Sequence, residues 1–367
     1  MADDFYAVVM AGGRGERFWP QSRASRPKQL LRLIGNLTLI EQTVERLKPL
    51  VSDDNTLIIT NRDYVEPMRS LMPQLNPLNI IGEPFGRDTG PCVALAVGII
   101  RAMSKGNDEA VMCMLPSDQI IRDSASMREV LADAGRTAVE TGKIVTIGIT
   151  PEYPSTGYGY IKCGAALERP GRTVIRQSEG FKEKPDAETA ARMLAEGSYR
   201  WNSGIFIWTV GSIMNAFRRH APELAALADA ICHSYADGEM NETILEEYGK
   251  CERISIDYAV MEKLAAEEVL VAESTFDWDD VGSWTSLRNQ VKPDTDNNVV
   301  QGLFEGLNVH NSIIVSDSSH LVTAIDIEDM IIVHTEDATL VCKTPSAQRV
   351  KELIARIAAN PDLDSFL

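Results

Sequence analysis

Short apolar runs alternate with amphipathic stretches through the first half of the chain. Residues 6–10, 56–59, 79–81, 111–115 and 144–148 are too short for helices, and several are rich in Val and Ile; each reads as a buried strand. Between them, residues 38–47, 90–103 and 126–141 show helical spacing. This rhythm predicts an α/β fold, a Rossmann-like open, mostly parallel mixed sheet with helices on both faces. Right-handed crossovers leave the carboxyl ends of such strands on one edge, where ligands bind. The loop after the first strand and Pro116-Ser117-Asp118 after the fourth then direct Arg17, Lys28 and Asp118 toward one crevice.

From Thr156 the pattern loosens, with a helix expected over 187–196 and further helical segments on either side of Asp257. The polar, turn-prone string Pro293-Asp294-Thr295-Asp296-Asn297-Asn298 marks a boundary. It divides the chain into a domain over 1–290 and a smaller one over 297–367. In the latter, residues 307–315, 320–325, 330–334 and 338–342 are short β-type pieces about ten residues apart, followed by a helix over 346–358. A β-rich, β-helix-like appendage is expected, without a strict sequence repeat.

Composition narrows the function. The chain has 367 residues, 44% of them hydrophobic, enough for a large core. No apolar run is long enough to span a membrane, and Met1-Ala2-Asp3-Asp4 has no signal-peptide character; a cytoplasmic location is expected. The six cysteines form no CxxC pair and the five histidines no HxH or HExxH motif. Reduced cysteines follow, and any metal must be held by oxygen. A net charge of −17 argues against nucleic acid as a partner. Residues 14–32 run the other way, with six basic residues against Glu16 alone. Because exposed charges are screened beyond about 8 Å, that cluster governs its own neighbourhood and suits a small polyanion.

The basic cluster sits on a glycine-rich loop, Gly12-Gly13-Arg14-Gly15-Glu16-Arg17-Phe18-Trp19-Pro20, continued by Pro27-Lys28-Gln29. Glycines let backbone N–H groups approach phosphate oxygens. The spacing is neither a dinucleotide fingerprint, which needs glycine at Phe18, nor a P-loop. It closely resembles the signature of the sugar-1-phosphate nucleotidylyltransferases, and among them the mannose-1-phosphate guanylyltransferases. The resemblance continues in order through Glu83-Pro84, Arg87-Asp88-Thr89, Pro116-Ser117-Asp118, Gly157-Tyr158-Gly159-Tyr160, Glu183-Lys184-Pro185, Trp201-Asn202-Ser203-Gly204 and Asp280-Val281-Gly282-Ser283-Trp284.

That resemblance implies GTP and mannose 1-phosphate as substrates and GDP-mannose and pyrophosphate as products. It assigns Arg17 and Lys28 as the catalytic cations on the triphosphate. It places Gly12, Gly13, Gly15, Glu83, Arg87, Asp88, Thr89, Pro116 and Asp118 around the nucleotide. Asp118 and Asp280 are implied as ligands of Mg²⁺. Gly159, Glu183, Lys184 and Asn202 are implied at the sugar phosphate. Asp257 reads either as support for the sugar site or as a helix cap, and Trp201, Tyr158 and Tyr160 as packing or binding. Two positions depart from many members: Glu16 replaces Thr or Ser, so a hydroxyl contact to phosphate does not carry over, and Asp88 replaces Asn.

Three rival readings remain on the sequence. A related hexose 1-phosphate could replace mannose 1-phosphate. Asp277-Trp278-Asp279 is formally the DxD motif of a metal-dependent glycosyltransferase. A non-catalytic nucleotide-sugar sensor would be favoured by loss of Arg17, Lys28, Asp118 or Asp280, and all four are present. Two-function relatives append an isomerase domain; with no suitable histidine cluster, isomerase activity is not expected. The C-terminal β-type pieces suggest self-association, with a homodimer expected.

Overall fold

The computed structural model describes residues 4–316 and 319–367, so the reading of Met1-Ala2-Asp3 lies outside the described residues. Nine strands form one sheet: β1 (Phe5–Ala11), β2 (Thr56–Asn61), β3 (Ile80–Glu83), β4 (Val111–Pro116), β5 (Ile144–Ile149), β6 (Tyr160–Ala166), β7 (Ile175–Lys182), β8 (Tyr199–Thr209) and β9 (Val269–Glu273). Their order is β3-β2-β1-β4-β8-β5-β9-β7-β6, with β8 also pairing β6. The first four are mutually parallel, whereas β8 runs antiparallel to β4, β5 and β6. This is the expected open α/β sheet.

Strand alternation shows that both faces are covered. Tyr6, Val8, Met112 and Met114 share a core with the helix Thr89–Met103. Positions of the other parity, Phe5 and Val111, lie against Gly135 of the helix Ser124–Thr141. Successive side chains of a strand point to opposite faces, so these two helices cover opposite sides.

Six further strands follow: β10 (Val299–Gln301), β11 (Leu303–His310), β12 (Ile313–Val315), β13 (Leu321–Glu328), β14 (Met330–His334) and β15 (Thr339–Lys343). One sheet has the order β10-β12-β14-β15 and another pairs β11 with β13. Ile313 pairs with Ile331, and Leu303 with Leu321, both in parallel. The two sheets therefore advance together by one coil, although no sequence repeat announces it. Asn297, Asn308, Asn311, Asp326 and Asp329 take positive φ, between 47° and 60°. Asn and Asp enter the left-handed region more readily than other L residues with a Cβ. They also stack between coils: Asn308 Nδ2 donates to Asp326 Oδ1 at 2.7 Å, Asn297 Nδ2 to Asn311 Oδ1 at 2.9 Å, and Asn311 Nδ2 to Asp329. The closing helix is Val350–Ala358, entered through a 3₁₀ turn, Thr344–Arg349.

Spatial grouping cuts across the linear division at 290 and 297. One compact unit comprises Met1–Gly12, Val44–Ser117 and Ile121–Trp278; the other comprises Gly13–Thr43, Asp118–Ile120 and Asp279–Leu367. The reason is hydrophobic. Phe18, Trp19, Leu31 and Leu33 are buried in the same core as Val299, Ile313, Ile331 and Val350. No helix among the described residues is long and apolar enough to cross a membrane.

The asparagine ladder yields a test. A left-handed conformation costs an ordinary L residue about 1–2 kcal/mol, and Asn311→Val also loses two side-chain hydrogen bonds. Its thermal unfolding midpoint should fall by about 2–4 °C or more. Asn311→Gly, which tolerates the same backbone, should fall less; equal losses would show that backbone conformation does not matter there.

Candidate functional site

In the second unit, the loop leaving β1 doubles back on itself at Gly15. That residue has φ 68°, and a Cβ there would stand 2.1 Å from the Cβ of Lys28. Glycine meets both demands, the left-handed backbone and the close approach. The Phe18 ring meets Trp284 edge-on at 5.1 Å, Trp284 Nε1 donates to the Trp19 carbonyl at 3.1 Å, and Trp19 Nε1 donates to the Phe366 carbonyl at 2.8 Å. Gly15 and Phe18 thus pin the turn Glu16–Phe18 on both sides of Arg17, whose side chain is exposed.

Lys28 is only 6% exposed, so its charge requires partners. Nζ donates to Asp118 Oδ2 at 3.0 Å and to the Asp280 carbonyl at 3.1 Å. It also lies 5.3 Å from the Phe18 ring centroid, within cation–π range. Ile120 and Asp279 pair as an isolated antiparallel bridge, through N–H···O contacts of 2.8 and 3.0 Å. That bridge sets the Asp118 and Asp280 segments side by side. Val281 has φ 45°, a rare conformation for a β-branched residue, and its N–H donates to Asp279 Oδ1 at 2.8 Å. The turn carrying Asp280 is therefore held against backbone strain.

Among the described residues no group of three or more Asp, Glu, His or Cys is placed to hold a metal. The candidates from the sequence are the carboxylates of Asp118, whose Oδ2 accepts from Lys28, and of Asp280, whose backbone carbonyl does. Two hard oxygen donors fit a divalent ion that completes its shell with water and phosphate oxygens. The DxD pattern fits a metal less well. Asp277 accepts from the N–H groups of Arg122 and Asp123 at 3.0 and 2.9 Å. Asp279 accepts from Val281, Asn289 and Gln290 at 2.8, 2.8 and 2.9 Å. Both carboxylates hold backbone and side chains in place, which removes support from the glycosyltransferase reading.

In the first unit, Glu83 ends β3 and is 5% exposed. The Tyr248 hydroxyl donates to its Oε1, and a Cβ at Gly12 would lie 3.1 Å from its Oε2. Burial pushes the Glu83 carboxyl up to about 7, against the Tyr248 hydrogen bond, which acts downward. Sequence reasoning missed Tyr248, which opens the 3₁₀ turn Tyr248–Lys250 directly after the helix Met240–Glu247 and belongs to no motif. Arg87 Nη2 donates to the Gly249 carbonyl at 3.0 Å, Asp88 caps the helix Thr89–Met103, and Thr89 Oγ1 accepts from Ile256 N–H at 2.9 Å. An Asn or Asp oxygen serves equally as that cap, so the Asp88 departure leaves it intact. Pro116 ends β4 half-buried, and Gly13 is exposed.

The four residues expected at the sugar phosphate come together in this same unit. A Cβ at Gly159 would stand 2.5 Å from Glu183 Oε2, and the Gly159 carbonyl accepts from Asn202 N–H at 2.8 Å. Lys184 Nζ lies 2.9 Å from Glu183 Oε1, and this contact raises the affinity of the ammonium for its proton. Asn202 lies at a bulge: between the pairs Thr146–Phe206 and Gly148–Asn202, β8 has three residues, 203–205, where β5 has one, Ile147. Bulges re-aim side chains. Its Oδ1 accepts from Thr146 Oγ1 at 3.1 Å and from Gly204 N–H at 3.2 Å, and its Nδ2 donates to Asp257 Oδ1 at 3.1 Å. Asp257 thus contacts Asn202, one of the residues expected at the sugar phosphate, while Ser255 caps its short helix. Burial first, and the Glu183 charge second, push the Asp257 carboxyl up to about 6. Trp201 and Tyr160 are packing: both are buried, Trp201 against Tyr153 and Tyr158, and Tyr160 with its hydroxyl on the Ser155 carbonyl.

The chain is similar to known proteins in sequence and in fold. Residues 6–297 match the nucleotidyl transferase family, and residues 306–357 match the MannoseP isomerase/GMP-like beta-helix domain. A mannose-1-phosphate guanylyltransferase of Sinorhizobium fredii (strain NBRC 101917 / NGR234) is 36% identical over 358 residues, covering 96% of this chain and 68% of its own length. A second, from Escherichia coli (strain K12), is 36% identical over 359 residues, covering 97% and 74%. A crystal structure from Thermus thermophilus, described as a mannose-1-phosphate geranyltransferase, has a TM-score of 0.84 and 35% identity, covering 97% of this chain and 99% of that one.

Glu83 also predicts a pH effect. Its carboxyl binds a proton more tightly folded than unfolded, so its stabilising contribution is complete below the ordinary value of 4.5 and is lost as pH rises through about 7. Glu83→Gln removes that dependence. The stability difference between variant and wild type, followed by urea unfolding, should shift in the variant's favour between these pH values; a constant difference would place Glu83 in a solvated environment.

Proposed function

Because the chain belongs to the family of mannose-1-phosphate guanylyltransferases, we propose that it transfers GMP from GTP to mannose 1-phosphate, giving GDP-mannose and pyrophosphate. The observation that carries this reading is the buried Lys28 ammonium, held between the Asp118 carboxylate and the Asp280 carbonyl on the loop that also bears Arg17. The sugar phosphate is already an anion and needs no general base to attack the α-phosphorus in line. Repulsion is the obstacle. Two like charges about 4 Å apart cost roughly 4 kcal/mol at an effective dielectric near 20. Arg17 and Lys28 offset that repulsion and stabilise charge moving onto pyrophosphate. Asp118 and Asp280 would hold Mg²⁺, whose preference for hard oxygens they match, and the ion would supply further positive charge to the triphosphate.

Glu83 offers a basis for choosing guanine. Guanine presents N1–H and an amino group, both donors, and a buried carboxylate accepts from both. Its raised proton affinity in the free protein is what burial without such donors produces. Arg87, Asp88 and Thr89 hold the backbone of this stretch, and Gly12 leaves room beside Glu83. At the sugar phosphate, Lys184 pairs with the phosphate and Glu183 and Asn202 with hydroxyls, while Asp257 orients the Asn202 amide. A cytoplasmic location belongs to the same proposal.

The test is a pyrophosphate-release assay across a matrix of nucleoside triphosphates and sugar 1-phosphates. GTP with mannose 1-phosphate should turn over fastest. Lys28→Ala should lose most turnover, and Glu83→Gln should narrow the preference for GTP over ATP by about tenfold or more. Wild-type rates in Lys28→Ala, or a faster pair of other substrates, would overturn the assignment.

A homodimer is also proposed. Leu303 pairs with Leu321, and Leu307 with Ile325, and these side chains are 49%, 56%, 65% and 62% exposed. Such an in-register apolar face suits a second copy. Leu307→Lys should lower the mass seen by light scattering to that of a monomer; an unchanged dimer would move the interface elsewhere.

A further inference from the structure

A cavity of about 640 Å³ in the second unit is lined by both the Arg17 loop and the helix Val350–Ala358. Trp19, Ile354, Ala355 and Ala358 supply apolar wall. Arg14, Arg23 and Lys351 bring positive charge, and Glu16 and Glu352 negative charge. Two of these five are already paired, Arg23 with Asp337 at 2.8 Å and Glu352 with Arg349 at 3.2 Å. Among the described residues no ion pair engages Arg14 or Lys351; Glu16 and Leu367, with its carboxyl group, also line the cavity. Arg17, Phe18, Lys28, Asp118 and Asp280 are absent from its lining. The cavity is therefore distinct from the Lys28 cluster.

We propose that this cavity is a regulatory site for a small aromatic anion, a flat apolar body bearing one carboxylate, sulfonate or phosphate group. Its volume falls within the range of small-molecule sites, which pair an apolar wall with a few polar groups. Trp19, 7% exposed with the Arg23 guanidinium 5.5 Å from its ring centroid, adds apolar surface to the wall, and the alanines at 355 and 358 leave the space a larger side chain would fill. Arg14 and Lys351 supply the charge. Arg14 and Glu16 flank Gly15, the residue on which the loop turns back toward Lys28. An occupant touching them shifts the loop by as much as it binds one loop position better than another. Only this kinetic consequence rests on the roles proposed for Arg17 and Lys28.

The experiment uses anilinonaphthalene sulfonate, whose fluorescence reports binding, with the full chain as wild type, Ala355→Trp and Lys351→Glu. Both substitutions lie on an exposed face of the helix, so basal turnover and melting temperature should hold. Saturable binding at one site per chain is expected, weakened about tenfold or more in each variant. In wild type the dye should also change KM for GTP, and in Ala355→Trp it should not. Equal dye affinity in all three proteins overturns the site, and dye binding without any change in KM overturns its regulatory role. Should Ala355→Trp unfold, Lys351→Glu, a surface charge change, decides both comparisons. If wild type releases no pyrophosphate at all, the proposed reaction fails while the binding comparison still decides the cavity.

Discussion

A lysine ammonium buried to 6% exposure cannot remain unpaired, and much of the second unit is arranged around that constraint. Lys28 finds its partners in segments 90 and 252 residues away, at Asp118 and the Asp280 carbonyl. Each segment needs support of its own. Gly15 makes room for the Lys28 backbone, the Ile120–Asp279 bridge aligns the acidic segments, and Asp279 ties down the strained turn at Val281. A cation so placed is already desolvated and oriented, which is the form of preorganisation that the proposed reaction would use.

The aromatic pair that accompanies the basic loop has a structural purpose. Phe18 and Trp19 are anchors, joined to Trp284 by a ring contact and by an indole hydrogen bond. An exposed arginine such as Arg17 has many rotamers to lose on binding, so fixing the backbone beneath it lowers what must be ordered later. In the first unit a bulge does comparable work, since the extra residues of β8 turn Asn202 toward Thr146 and Asp257.

Two carboxyls, the buried Glu83 and the half-buried Asp257, hold their protons more tightly than free carboxyls do. The common cause is loss of water without full replacement by donors. The Tyr248 hydroxyl donates to Glu83, and the Asn202 amide and a backbone N–H donate to Asp257. These donors do not cancel the cost of burial. The guanine edge proposed for Glu83 and the sugar hydroxyls proposed near Asp257 would bring further N–H and O–H groups.

Local chemistry made much of this protein readable in advance. The early strands and helices were legible because period and length need no partner, and the helix read over 187–196 is the observed Ala187–Glu196. Gly159, Glu183, Lys184 and Asn202 were legible through motif resemblance. Long-range packing decided the rest. No spacing rule says that residues 28, 118 and 280 meet, that Glu83 takes Tyr248 as its partner, or that Asp257 faces Asn202 while Ser255 does the capping. The β-helix-like character of the C-terminal strands was legible, but their register was not. Coiling requires only inward apolar residues and Asn or Asp at left-handed corners, a demand many different sequences meet. The sequence by itself determined which elements form and which side chains are candidates for the chemistry, because those follow from local conformational preference, charge and motif. Only the tertiary structure decided which of them touch, because burial and pairing are shared between segments far apart along the chain.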